Sequence, residues 1–297
     1  MLVTEQVSRR ILLLDGRRRD WGPAAVRWAF SPVGDARYAD LRPERSWVHP
    51  DEAKVRRRHG RTYVLTTASY GFAAVVAYPS GDRYWGGVLS PGTIRDNPHS
   101  IELLPDGDVA VASSTGGHVR VYAASLGPAG VPYAAYALPD AHGVHWDARQ
   151  GVLWALGGDR LVALRVGGSP GWPVIHAVLD LPLPSPGGHD LAPVARNPDR
   201  LWVTTGTEVL QYVKSRGVFV RDHPGAVSIG RARVKAVGDD PLTGQVLSTA
   251  PERGLGEPWW TTRVTVHRPA GAYRLVGGGI YKARWWLPHV SRGAGAS

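Results

Sequence analysis

The chain alternates short apolar runs with polar turns, and the runs are too brief to be helices. In "NPHSIELLPDGDVAVASSTGGHVRVYAAS", residues 97 to 125, Ile101 to Leu104, Val109 to Ala112 and Val119 to Tyr122 read as strands. Pro105-Asp106-Gly107 and Gly116-Gly117 supply the turns between them. The same unit recurs as "DEAKVRRRHGRTYVLTTAS" from 51, "DAHGVHWDARQGVLWALGG" from 140, "GGHDLAPVARNPDRLWVTTGT" from 187 and "RVKAVGDDPLTGQVLSTAP" from 233. Each copy gives a strand, a polar turn and a second strand. A third and a fourth strand follow, such as "RLVALRV" and "PVIHAVLDL". Four strands in roughly 45 residues is the pattern of a β-propeller blade.

The two ends make a sixth unit. "LVTEQVSRRILLLDG" matches second and third strands and "AVRWAFS" a fourth, while "YKARWWLP" at 281 to 288 supplies the missing first. A C-terminal strand pairing with the N-terminal ones closes the ring and removes an open sheet edge. The expectation is an all-β, six-bladed propeller in one domain, residues 1–290, with a C-terminal tail at 291–297.

Composition agrees and then narrows the chemistry. The 297 residues include 37 Gly, 24 Pro and 12 Trp, which suits a turn-rich β protein. No cysteine occurs, so disulfides, thiol catalysis and thiolate metal sites are excluded. No run approaches the ~18 apolar residues that span a bilayer. The net charge is +10, but Arg runs at 17–19 and 56–58 lack aromatic interleaving, which argues against nucleic acid.

Superposing the repeats brings out a register. The start of each first strand carries Lys54, His99, His142, His189, Lys235 and Lys282, spaced 45, 43, 47, 46 and 47 residues apart. Lys and His together make up 15 of the 297 residues, and three of the four lysines fall here. First strands line a propeller's channel, so these six side chains are expected at one mouth. His99, His142 and His189, from consecutive blades, suit a divalent metal such as Zn, Mn, Fe or Ni. Asp96, Asp140 and Asp190 are the candidates to hold their free ring nitrogens. Lys54, Lys235 and Lys282 are the expected anion clamp and catalytic groups.

The rim is expected from ends of second strands and the turns after them: Glu5, Tyr70, Ser113, Ser114, Thr115, Asp159, Thr207 and Glu208. The long loop "PERGLGEPWWTTR" overhangs the same mouth, with Arg253, Glu257, Trp259 and Trp260 as a lid or stacking platform. Against this stands a purely structural reading, in which Asp51, Glu52, Asp140, Asp190 and Asp96 neutralise the ring.

"NPHSIELLPDG", "DAHGVHWD", "GGHDLAP", "NPDRLWVTTG" and "YKARWW" resemble an uncharacterised family of six-bladed propellers common in actinobacteria. "PHSIELLPDGDVAVAS" is more distantly similar to repeats of streptogramin lyases, and histidines at a channel are similar to metal-dependent oligogalacturonate lyases. The family resemblance implies the fold and no activity, and favours secretion. The first strand starts at Leu2, which leaves no room for a signal peptide in this chain and fits the cytoplasm. The expected ligand is a small anionic molecule or acidic oligosaccharide bound by a monomer. Two readings stay open: a metal-dependent lyase or hydrolase, and a non-catalytic module recognising an acidic glycan or a protein partner.

Overall fold

The computed structural model describes residues 1–169 and 171–287. Six sheets, antiparallel except for one short added strand, stand around a central channel. Blade one combines Ile280–Arg284 with Leu2–Glu5, Arg10–Leu14 and Val26–Phe30, and blade two runs through Pro50–Arg58, Arg61–Ala68, Phe72–Tyr78 and Arg83–Val88. Blade three holds Pro98–Leu103, Val109–Ser113, His118–Tyr122 and Tyr133–Ala137; blade four holds Gly143–Asp147, Val152–Leu156, Arg160–Ser169 and Trp172–Pro182. Blade five is Leu191–Pro193, Arg200–Thr204, Val209–Val213 and Val218–Val220, and blade six is Ala236–Asp239, Val246–Thr249, Arg263–His267 and Gly271–Leu275.

Period-two alternation explains how the blades stack. In Arg10–Leu14, Ile11 and Leu13 pack toward blade two, whereas Leu12 and Leu14 pack toward blade six. Every strand in a blade interior therefore has two apolar faces. Apolar clusters fill the spaces between each adjacent pair of blades, for example Ala110, Ala112, Val119 and Val121 against Val144, Leu153 and Val162. Each fully buried Val or Leu contributes roughly 1.5–3 kcal/mol of transfer free energy. Trp154 and Trp202, both 2% exposed, belong to these packings.

Closure follows the expected route with a shorter strand. Leu2 pairs with Arg284, Val3 with Ala283 and Glu5 with Ile280. Trp285 and Trp286 have left the sheet. Trp285 donates its indole N–H to the Gly238 carbonyl at 3.2 Å, and Trp286 packs on Tyr78 with centroids 4.7 Å apart. Pro288, the end of the expected strand, and the expected tail at 291–297 lie outside the described residues. A second latch was not legible in the pattern. Asp20–Trp21 pairs in parallel with Arg274 and Leu275, adding a fifth strand to blade six, and Trp21 stacks on Tyr273 at 5.0 Å. Two residues are too few to carry a periodic signal.

Candidate functional site

The start of the first strands carries a bulge that resets the register. Pairing slips by one between Pro50 and Glu52, opposite Ser113 in blade three, and between Val3 and Glu5 in blade one. The residues at the slip are Asp51, His99 and Tyr281. In the other blades His142, His189 and Lys235 take the same place, each donating its backbone N–H to the end of the second strand: Leu156 at 2.8 Å, Thr204 at 2.9 Å and Thr249 at 2.8 Å. The mouth ring is therefore Asp51, His99, His142, His189, Lys235 and Tyr281.

His99, His142, His189 and Lys235 meet as expected. The His99 and His142 rings stack at 4.5 Å, and the His142 and His189 centroids lie 4.7 Å apart. Tyr281 closes the group. Its hydroxyl is 2.8 Å from His189 Nε2 and 3.5 Å from His99 Nδ1. Lys235 Nζ is 3.0 Å from the same His189 nitrogen. Asp51 completes the ring, with its carboxylate oxygen 3.8 Å from His99 Nδ1 and the Ser69 hydroxyl donating to it at 2.8 Å.

Lys54 and Lys282 do not belong to the mouth, which corrects the register read from the repeats. Lys282 sits one residue further in and Lys54 three, so both lie in the channel rather than at its opening. Lys54 Nζ donates to the Val144 carbonyl at 2.7 Å and to Ser100 Oγ at 2.9 Å, and lies 3.8 Å from Glu52. Lys282 pairs with Asp190 at 3.3 Å and Glu52 at 3.5 Å. Arg284 joins these two acids. It bonds Glu52 at 3.1 and 3.0 Å and Asp190 at 2.7 and 2.5 Å. Deeper still, Arg56 forms a two-bonded pair with Glu102, both at 2.6 Å. The channel is plugged by alternating buried charge. For Lys54 and Lys282 the structural reading holds, because neighbouring carboxylates already balance them.

Burial sets the protonation of both layers. Burial alone would raise the Glu52, Glu102 and Asp190 carboxyls. The adjacent cations, Arg284, Lys282 and Lys54 for Glu52, outweigh it and hold all three below the ordinary range. Asp51 lacks such a partner, and burial pushes its carboxyl well above that range. His99 and His189 are pushed far down, and His142 down to about 4, by burial first and then by Lys282 and Lys235. All three imidazoles are neutral at pH 7. Lys235 falls from 10.5 to about 8 through burial and the neighbouring Lys282 and Arg233.

The mouth opens on a cavity of about 210 Å³ lined by His142, His189, Lys235, Arg233, Asp140 and Thr205, among others. Lys235 differs from the channel cations Lys54, Arg56, Lys282 and Arg284. Among the described residues it forms no ion pair with a carboxylate. The acid in the cavity, Asp140, turns to His142, 3.2 Å from its Nδ1. His189 Nδ1 is buried with no hydrogen-bond partner.

The stacked and tilted imidazoles present faces to one another instead of aiming lone pairs at a common point. Among the described residues, no three His, Asp or Glu side chains are arranged to ligate one ion. Of the acids expected behind the histidines, Asp140 does face His142, whereas Asp190 is committed to Arg284 and Asp96 lies 3.3 Å from His118.

The expected rim divides. Tyr70, Glu257 and Trp259 gather around His49, with Trp259 at 5.8 Å and Tyr70 at 6.1 Å between centroids and Glu257 Oε1 3.9 Å from Nε2. Gln6 ties this loop to the ring, accepting the Trp259 indole N–H at 3.0 Å and donating to Asp51 at 3.4 Å. Glu5 is spent on the chain itself, accepting from the backbone N–H of Val7, Ser8 and Gly279. Ser114 Oγ bonds the Asn97 carbonyl at 3.3 Å, and Glu208 pairs with Arg221. Arg253 points to solvent. Repeat alignment missed Tyr281, Gln6 and Arg233. Tyr281 stands beside Lys282 in the sequence, and a slip of one residue exchanges their places.

Six blades around a plugged channel, closed by strands from both ends, define a six-bladed β-propeller. Residues 2–291 match the model of a family of unknown function, DUF6528, and the chain belongs to that family. No curated protein matches the chain in sequence. Among solved structures it is similar to a streptogramin B lyase at 14% identity, covering 72% of this chain and 65% of that one with a TM-score of 0.46. Virginiamycin B lyase from Staphylococcus aureus is matched at 12% identity over 76% of this chain and 70% of that one, TM-score 0.49. A chain of the mitotic checkpoint complex is matched at 11% identity over 71% and 59%, TM-score 0.48. These likenesses concern the fold alone.

Proposed function

We propose that the mouth binds a small carboxylate-bearing molecule, with Lys235 as its anchoring cation. The observation that carries this reading is the contrast between Lys235 and the channel cations. They are matched by buried acids, whereas Lys235 lines an open cavity, meets neutral His189 and has the Tyr281 ring centroid 5.9 Å from its Nζ. A cation kept partly desolvated without a counter-charge is costly to the fold, and an incoming anion relieves that cost. Arg233, exposed on the same cavity, adds a second cation. Neutral His142 and His189 offer uncharged hydrogen-bond partners for the rest of a ligand. A cavity of about 210 Å³ fits a small acid better than an oligosaccharide. A metal is not needed in this reading.

The test is calorimetric titration of the wild type, Lys235→Met and Arg233→Met with lactate, citrate and galacturonate. We expect binding by at least one acid, weakened tenfold or more by Lys235→Met. Binding that is identical in Lys235→Met, or no binding by any of the three, would overturn the proposal. The Tyr281–His189–Lys235 chain also supports a catalytic reading over a passive module, since a phenol, an imidazole and an amine in contact can pass a proton.

A further inference from the structure

Lys235 is more than an available charge. Its amine lies 3.0 Å from the acceptor nitrogen of a neutral imidazole, and that nitrogen also receives the Tyr281 hydroxyl at 2.8 Å. Two donors compete for one lone pair, so a lysine that gives up its proton settles the contest in favour of Tyr281. The cations around it, Lys282 and exposed Arg233, also favour loss of that proton, and burial acts in the same direction. An amine freed of its proton at the edge of a cavity is a nucleophile.

From this geometry we infer that Lys235 forms a covalent imine with a small oxo-carboxylate, whose carboxylate is held by Arg233. The inference rests on the anion site proposed above. In the step, the ammonium first releases a proton and the amine nitrogen attacks the carbonyl carbon. The carbonyl π pair moves to oxygen, which takes a proton through Tyr281 and His189. The nitrogen, which supplied the first of these protons on attack, gives up its remaining proton to that oxygen by the same route, and the oxygen leaves as water with a C=N bond to Lys235 in its place. Amine and carbonyl give imine and water with no change of oxidation state. Tyr281 and His189 act on the reacting oxygen and are the proton carriers. Asp140, on the same cavity and 3.2 Å from His142 Nδ1, and Asp51 favour the protonated amine, but burial together with Lys282 and Arg233 outweighs them.

The chain's lysine content makes the test sharp, because Lys54, Lys214 and Lys282 are internal controls. Lys54 and Lys282 are buried in ion pairs and Lys214 is paired with Asp147. The protein is incubated with pyruvate and cyanoborohydride, digested and mapped by mass spectrometry. Lactate, which has the carboxylate and no ketone, serves as competitor. The expected result is one reduced adduct per chain, on Lys235, lost in Lys235→Arg without a compensating adduct on another lysine, and suppressed in the wild type by lactate. Lys235→Arg keeps the cation, so it separates nucleophilicity from charge and from folding. Tyr281→Phe should slow the adduct at least tenfold. Adducts spread equally over Lys214 and Lys235, or undiminished labelling in Lys235→Arg, would overturn the inference. If lactate binds in a Lys235-dependent manner and pyruvate leaves no adduct, the imine falls and the anion site stands. If neither acid binds, both fall.

Discussion

Removing Arg284 tests whether the channel plug holds the ring together. Its guanidinium makes four bonds to Glu52 and Asp190, whose side chains are each 1% exposed. In Arg284→Met those carboxylates keep Lys282 at 3.5 and 3.3 Å, while Glu52 keeps Lys54 at 3.8 Å, all longer contacts than the one removed. Breaking a buried pair by deleting one partner costs about 3–5 kcal/mol, mainly the desolvation left uncompensated on the other. A chain of 297 residues has an unfolding entropy of roughly 0.6 kcal/mol/K from per-residue averages. That cost therefore lowers the Tm by about 5–8 °C, measured by scanning calorimetry at pH 7. The pH dependence supplies a second check. Glu52 has a folded pKa below its ordinary 4.5, so its stabilisation is present above that value and lost as pH falls. The deficit of Arg284→Met should shrink below about pH 4.5. A single variant that melts within a degree of wild type would refute the argument.

Acid should destabilise the mouth in its own window. His142 titrates at about 4 when folded against 6.5 unfolded, so the unfolded chain gains the proton first and stability falls as pH drops from 6.5 to 4. The full effect is about 3 kcal/mol, and His142→Gln should flatten that part of a denaturant-unfolding pH series. Deleting residues from 280 onward exposes the edge of Leu2–Glu5, and the truncated protein should aggregate or unfold; a monomer with unchanged Tm would remove the closure argument. Metal analysis after incubation with Zn, Mn and Ni should find no stoichiometric ion, because the imidazoles are stacked. An equivalent of metal that disappears in His142→Ala would restore the ligand-triad expectation.

The blade count and the closing strand were legible because alternating apolar positions at a regular spacing leave few other folds. Leu12 and Leu13 face different neighbours, and that is the periodicity itself. The histidine cluster was legible for the same reason, since equivalent positions in consecutive blades must be neighbours. Which lysine reached the mouth was not legible. A β-bulge inserts one residue without changing the composition around it, so Tyr281 took the place expected of Lys282. "DEAK" offers three charged candidates within four residues, and pairing selects Asp51 over Lys54. Glu52 and Asp190 were legible as acids that neutralise the ring, but Glu102, Arg56 and Arg284 were not, because their contacts join residues as far apart as 232 positions.

The composite first blade has a consequence in time. Thr4 meets Lys282 across 278 residues, so the N-terminal strands find their inner neighbour only when almost all of the chain exists. At roughly 5–20 residues per second of synthesis, that wait is about 15–60 s. Blades two to five can form in order as they emerge, each on the face of the one before. Leu2–Glu5 meanwhile presents an unpaired edge, and blade six lacks the Asp20–Trp21 strand until the ring curls round. The blade made first is finished last, and the nascent chain's exposure to mispairing is greatest at the end that left the ribosome earliest.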